Sequence, residues 1–175
     1  MKQRGAEKTI CLPALQNFIY NFMIKFFQST RNLQIIIFLL ALASMLGSLY
    51  FSEIAWLTPC ELCWFQRIVM YPIVALALVG IIRKDKNMPY YVLPLSVIGI
   101  LISGYHYTIQ MVAKWSASVS AVVDAIGTPC RAGSVSCAQI DVVYFGFITI
   151  PLMAFAAFCL ITIACILLLR QKQVE

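Results

Sequence analysis

Two cysteines separated by two residues, Cys60 and Cys63, stand in the stretch LTPCELCWFQRIVMYP, with Arg67 four residues after the second. A bridge at that spacing closes almost no chain, so it adds little stability, and its usual use is thiol–disulfide exchange. On a helix, Arg67 lies one turn from Cys63 on the same face. There its guanidinium can favour a thiolate and donate hydrogen bonds to a carbonyl. A second pair, Cys130 and Cys137, lies in TPCRAGSVSC, where Arg131 lowers the pKa of the adjacent thiol and makes it a good leaving group. Four cysteines in two local pairs carry the redox chemistry, and the remaining question is what holds them.

The chain of 175 residues is 62% hydrophobic and 11% charged, far from the balance of a soluble domain. Apolar runs long enough to cross the hydrocarbon core recur four times, at about 33–51, 63–82, 90–112 and 144–169. These predict an all-α integral membrane protein, a bundle of four transmembrane helices at 33–170, with a cytoplasmic segment at 1–32 and a cytoplasmic tail at 171–175. The first run continues through SMLGSLYF and is too long for a signal-peptide core. Either Met1 or Met23 provides a basic flank for it.

The net charge of +6 is distributed as the positive-inside rule requires. Lys2, Arg4, Lys8, Lys25 and Arg31 precede the first run, Arg83, Lys84 and Lys86 separate the second from the third, and Arg170 and Lys172 follow the fourth. Both termini are therefore expected in the cytoplasm, and the two cysteine-bearing loops on the outer face of the cell membrane. The basic residues orient helices; no nucleic-acid partner is expected. Orientation also sorts the thiols. Cys11 is on the reducing side, Cys159 and Cys165 lie inside the fourth run as small hydrophobes, and the two pairs face the oxidising side.

Local signals refine the elements. Thr58, Pro59 and Glu61 match a capping box with proline at the first helical position, which would put Cys60 and Cys63 in the first turns of the second helix. His106, the single histidine, falls near the outer end of the third run, at about the depth of Arg67 and between the interfacial anchors Tyr105 and Tyr107. In WSASVSAVVDAIG, Trp115, Val119, Val122, Val123 and Ile126 share one helical face, predicting a short amphipathic helix on the outer leaflet.

Three chemistries compete for the cysteines. A zinc centre built from all four fails on the second spacing, whose six intervening residues do not suit a zinc ribbon, so no metal is expected. Inert bridges fail because a CxxC constrains nothing. A relay remains, in which Cys130–Cys137 oxidises a soluble thiol protein and passes electrons to Cys60–Cys63. Driving a strongly oxidising thioredoxin-like donor, near −120 mV, from a structural disulfide below about −300 mV would cost roughly 8 kcal/mol. A final oxidant is therefore needed, and a lipid-soluble quinone reaching Cys63 and Arg67 from the bilayer is the natural one. No Fe–S or haem pattern accompanies the cysteines.

Taken together, PCELCWFQRIVMYP, PCRAGSVSC, GYHYTIQ and GFITIPLMAFAAF resemble the DsbB/BdbC family of disulfide-bond formation proteins over roughly residues 33–170. The resemblance implies a membrane thiol oxidase that reoxidises a DsbA-like partner and reduces a quinone, ubiquinone or menaquinone. It implies that Cys130 takes the mixed disulfide with the partner, Cys137 exchanges with Cys60, and Cys63 is the thiolate that meets the quinone. Arg67 and His106 match the family's quinone-side residues, while Gln66 stands where some members carry an acid. The vitamin K epoxide reductase family also pairs CxxC with a quinone, but there the loop cysteines precede the CxxC. A membrane metal or thiol chaperone is the non-enzymatic alternative.

Overall fold

The computed structural model describes residues 30–115, 143–144 and 148–174. Helix α1 spans Thr30–Leu49 and runs on into one π turn at Tyr50–Ile54; α2 is Glu61–Arg83, α3 Met88–Trp115 and α4 Ile150–Val174. Two short strands, β1 at Val143–Tyr144 and β2 at Ile148–Thr149, pair antiparallel ahead of α4. The segments Thr30–Ile54, Glu61–Arg83, Met88–Lys114 and Ile150–Gln173 are each long and apolar enough to cross a membrane. The molecule is a four-helix, multi-pass membrane protein. Cys130, Cys137, Arg131 and the amphipathic helix expected after Trp115 lie outside the described residues.

In lipid the helices gain little from hydrophobicity alone, so close packing and interhelical hydrogen bonds decide how they meet. Gly99 on α3 leaves room for the Phe158 ring of α4; a methyl group there would stand 2.3 Å from it. One turn before Gly99, Ser96 accepts a hydrogen bond from the Thr162 hydroxyl at 2.9 Å. Leu33, Ile37, Ile73, Ala77, Val92, Phe158 and Ile161 fill the seam with no exposed surface, while Leu46, Ile68, Ile82 and Leu101 point outward to lipid. Gln34 of α1 donates to the Asp85 carbonyl at 2.8 Å, tying α1 to the turn between α2 and α3.

That turn has a clear local cause. Lys84 takes the left-handed conformation, φ 51° and ψ 40°, at the end of α2. Its N–H reaches the Ile81 carbonyl and that of Asp85 reaches Gly80 at 2.9 Å, the paired bonds of a Schellman ending. The Asp85 carboxylate then accepts from the Asn87 N–H at 2.7 Å, and α3 starts directly after it.

Two elements differ from the sequence reading. The apolar run from 144 becomes helical only at Ile150, because Val143–Tyr144 and Ile148–Thr149 pair as strands, and Pro151 suits a first turn where its missing N–H costs no bond. The capping box at Thr58 does not form. Cys60 is the cap of α2, extended at φ −70° and ψ 169°, with no side-chain capping bond. The reason is tertiary: Cys60 packs with Leu62 and Ile109 of α3, which holds its backbone out of the helix.

Candidate functional site

The site begins where α2 begins. The Cys60 carbonyl accepts the first helical bond, from the Trp64 N–H at 3.2 Å, so Cys63 falls within the first turn and its sulfur returns toward the cap. The two Sγ atoms stand 3.4 Å apart, within hydrogen-bond reach of one another. Cys60 is buried and Cys63 half-buried.

Helix α3 brings His106 against this pair from 46 residues away, its Nε2 lying 3.6 Å from Cys60 Sγ. Its Nδ1 meets the Gln66 side-chain amide at 3.3 Å, so both ring nitrogens have partners although the residue is only 1% exposed. A buried imidazole held at both nitrogens has a fixed ring plane. The hydrogen bond from Cys63, and after it His106, hold the Cys60 thiol below its ordinary pKa, against the opposing effect of burial.

Arg67 is also buried, 8% exposed. It donates from Nε to Ser48 Oγ at 2.7 Å and from Nη2 to the Ser48 carbonyl at 2.9 Å. Ser48 lies at the end of α1, where the ladder loosens into the π turn, a feature common at functional sites. The guanidinium carbon also sits 5.3 Å from the centroid of the Trp64 ring, a cation–π contact. A charge inside a membrane bundle is costly and is tolerated when so held. Arg67 therefore does not snorkel outward along the helix.

These side chains share the wall of one cavity of about 370 Å³ between α1, α2 and the start of α4. Cys60, Cys63, Gln66, Arg67 and His106 form one side; Leu40, Ala43, Met153, Ala154 and Phe158 form an apolar one. Thr149, the last residue of β2, also lines it, and its buried hydroxyl has no hydrogen-bond partner among the described residues. The arrangement sets two thiols, a histidine and a buried cation opposite an apolar wall.

Of the residues singled out from sequence, Cys60, Cys63, Arg67 and His106 meet here, whereas Cys130 and Cys137 are outside the described residues. His106 lies against Cys60 rather than beside Arg67. Sequence reasoning missed Ser48 and Thr149, and treated Gln66 only as a departure from an acid. The signal for Gln66 was present: an uncharged polar residue beside Arg67 in an apolar helix needs a buried partner.

The family model "Disulfide bond formation protein DsbB" matches residues 30–168. The chain is 41% identical over 145 residues to "Probable disulfide formation protein C" of Halalkalibacterium halodurans, covering 83% of this chain and 98% of that one. It is 42% identical over 146 residues to the "SPbeta prophage-derived disulfide bond formation protein B" of Bacillus subtilis, covering 83% and 91%. It is 46% identical over 132 residues to "Disulfide bond formation protein C" of Bacillus subtilis, covering 75% and 88%. No solved structure matches.

Proposed function

We propose, from the premise that this chain belongs to the DsbB family of disulfide bond formation proteins, that it reoxidises a thioredoxin-like dithiol protein outside the cytoplasm and delivers the electrons to a membrane quinone. The observation that carries this reading is the Cys60–Cys63 pair in the wall of a cavity that also holds the buried cation of Arg67.

The residues fit a quinone. A volume of about 370 Å³ suits a substituted ring. The apolar side chains of Leu40, Met153 and Phe158 can flank its faces, and the guanidinium can hold a carbonyl oxygen. A quinone held there would supply the oxidising power, as an acceptor of two electrons and two protons from the dithiol.

The protein's own steps are exchanges between sulfurs. The partner's thiolate attacks the Cys130–Cys137 disulfide, forming a mixed disulfide through Cys130 and releasing Cys137 as thiolate. A second partner thiolate then resolves the mixed disulfide, so the partner leaves oxidised and the loop pair is reduced. Cys137 next attacks Cys60 of the Cys60–Cys63 disulfide, and the released charge rests on Cys63, four residues from Arg67. Cys130 displaces Cys60 from Cys137, restoring the loop disulfide and leaving Cys60 and Cys63 reduced. In that fully reduced pair the Cys63 contact and His106 hold the Cys60 thiol below its ordinary range. The two thiols so have different environments in successive steps: His106 serves Cys60, and Arg67 serves Cys63.

Both termini are placed in the cytoplasm and the cysteine loops outside, on the charge asymmetry of the sequence. The reading is tested by supplying reduced partner to the purified protein with and without quinone: partner oxidation beyond one turnover must require the quinone. Sustained turnover without any quinone or oxygen would refute it.

A further inference from the structure

We propose that the reduced protein binds a thiophilic d10 cation, of the zinc or cadmium type, through Cys60, Cys63 and His106, and that this binding closes the enzyme in its reduced state. The three ligand atoms lie within 4.8 Å of one another. Zn–S bonds of about 2.3 Å and a Zn–N bond of about 2.0–2.1 Å, at tetrahedral angles, separate two sulfurs by about 3.8 Å and sulfur from nitrogen by about 3.6 Å. The protein presents 3.4 Å between Cys60 and Cys63 Sγ and 3.6 Å between Cys60 Sγ and His106 Nε2. The third pair, Cys63 Sγ and His106, lies within 4.8 Å, and a rotation of the Cys63 side chain that closes up to about an ångström completes three corners of a tetrahedron.

The surroundings add the second shell such a site needs. Gln66 holds His106 Nδ1 at 3.3 Å and so orients Nε2 toward the sulfurs. All three ligands border the cavity, which leaves the fourth position open to water or another small ligand. This set differs from the four-cysteine centre that the spacing of the loop pair excludes. It becomes visible only when α3 is packed against the start of α2.

The site is gated by redox state. Two thiolates bind the cation as the protons of Cys60 and Cys63 are released. A Cys60–Cys63 disulfide has neither thiolate and offers only His106. The bound cation occupies the sulfur lone pairs that would form the disulfide, so it arrests the enzyme after reduction and before reoxidation. Excess extracytoplasmic zinc would then slow disulfide formation through this site.

The test titrates cadmium into the full-length protein in detergent, following thiolate-to-cadmium ultraviolet absorption, with Cys130→Ser/Cys137→Ser as background to remove the loop thiols. The reduced protein is expected to bind one equivalent and the oxidised protein none. Cys60→Ser abolishes the signal, and His106→Ala weakens the affinity at least about tenfold. Gln66→Ala, which keeps all three ligands, gives a smaller loss and serves if His106→Ala does not fold. Equal binding by the oxidised protein would overturn the proposal in favour of lipid or surface sites. Unchanged affinity in both His106→Ala and Gln66→Ala would reduce it to chelation by the dithiol alone. Because binding is read without turnover, the result is independent of whether the electron acceptor is a quinone.

Discussion

His106 Nε2 lies 3.6 Å from Cys60 Sγ and its Nδ1 3.3 Å from the Gln66 amide, so the single histidine of the chain belongs to the first cysteine of the CxxC. The groups facing that sulfur are Cys63 from its own helix and His106 from α3. Together they hold the Cys60 thiol below its ordinary range. In metal-free, reduced protein the alkylation rate of Cys60 should therefore reach its plateau below the usual thiol midpoint of about 8.5. His106→Ala should move that midpoint upward, and an unmoved midpoint would leave His106 as packing only. The sign of the stability effect follows from the depressed pKa: the contribution is full above the unfolded value and is lost as pH falls through the folded one.

Arg67 and Ser48 form the second pair to test. Arg67→Ala removes a charged donor whose hydrogen bond is worth about 1.5–3 kcal/mol, so quinone kcat/KM should fall roughly 10- to 100-fold. Ser48→Ala should give a smaller loss, since it only frees the guanidinium. Steady-state kinetics at varied quinone and fixed partner measure both, and the rate of the mixed-disulfide step should not change. Unaltered quinone kinetics in Arg67→Ala would assign the arginine to bundle structure.

The cysteines divide by position. Cys63→Ser should abolish turnover of reduced partner, because it removes the thiol that closes the disulfide with Cys60. Cys165 lies in the bundle core without exposed surface, and Cys165→Ala should retain turnover while lowering stability. Partner oxidation and a detergent melt on the same samples separate the two effects. Full turnover by Cys63→Ser would refute the relay.

Gly99 tests the packing that positions His106 on α3. A Cβ there would meet Phe158 ring atoms at 2.3, 2.4 and 2.6 Å, so Gly99→Ala should cost about 1–3 kcal/mol by overpacking. Gly104 is the control, with its nearest neighbour, Phe155, at 3.4 Å. Equal melting temperatures for the two variants would mean that α3 and α4 are not packed as described.

Orientation is tested separately. Reporter fusions after Lys86, in the turn between α2 and α3, and after Ala132, between α3 and α4, should report opposite sides of the membrane. The same side for both would remove the basis for placing the cysteine loops outside.

Much of this was legible in the sequence for a physical reason: lipid demands long apolar helices, and a run such as the one at 63–82 has few other solutions. The i, i+4 relation of Cys63 and Arg67 follows from helix geometry alone. What was not legible depends on which faces meet. The Gln66–His106 and Arg67–Ser48 bonds join residues from different helices, and no local pattern encodes that choice. The Thr58 capping box failed for the same reason, since contact with Ile109 outweighed a local capping preference worth about 1 kcal/mol. The paired strands β1 and β2 lie against the start of a strongly apolar helix, and so short a pairing leaves no period that would separate them from it.

The central claim is that the dithiol at the cavity wall hands its electrons to a quinone there. Anaerobic mixing of purified protein, an excess of reduced thioredoxin-like partner and quinone, followed by quinone absorbance, tests it most directly. One quinone should be reduced per partner disulfide formed, with the rate lost in Cys63→Ser and sharply lowered in Arg67→Ala. Partner oxidation that proceeds while quinone absorbance stays constant would contradict it.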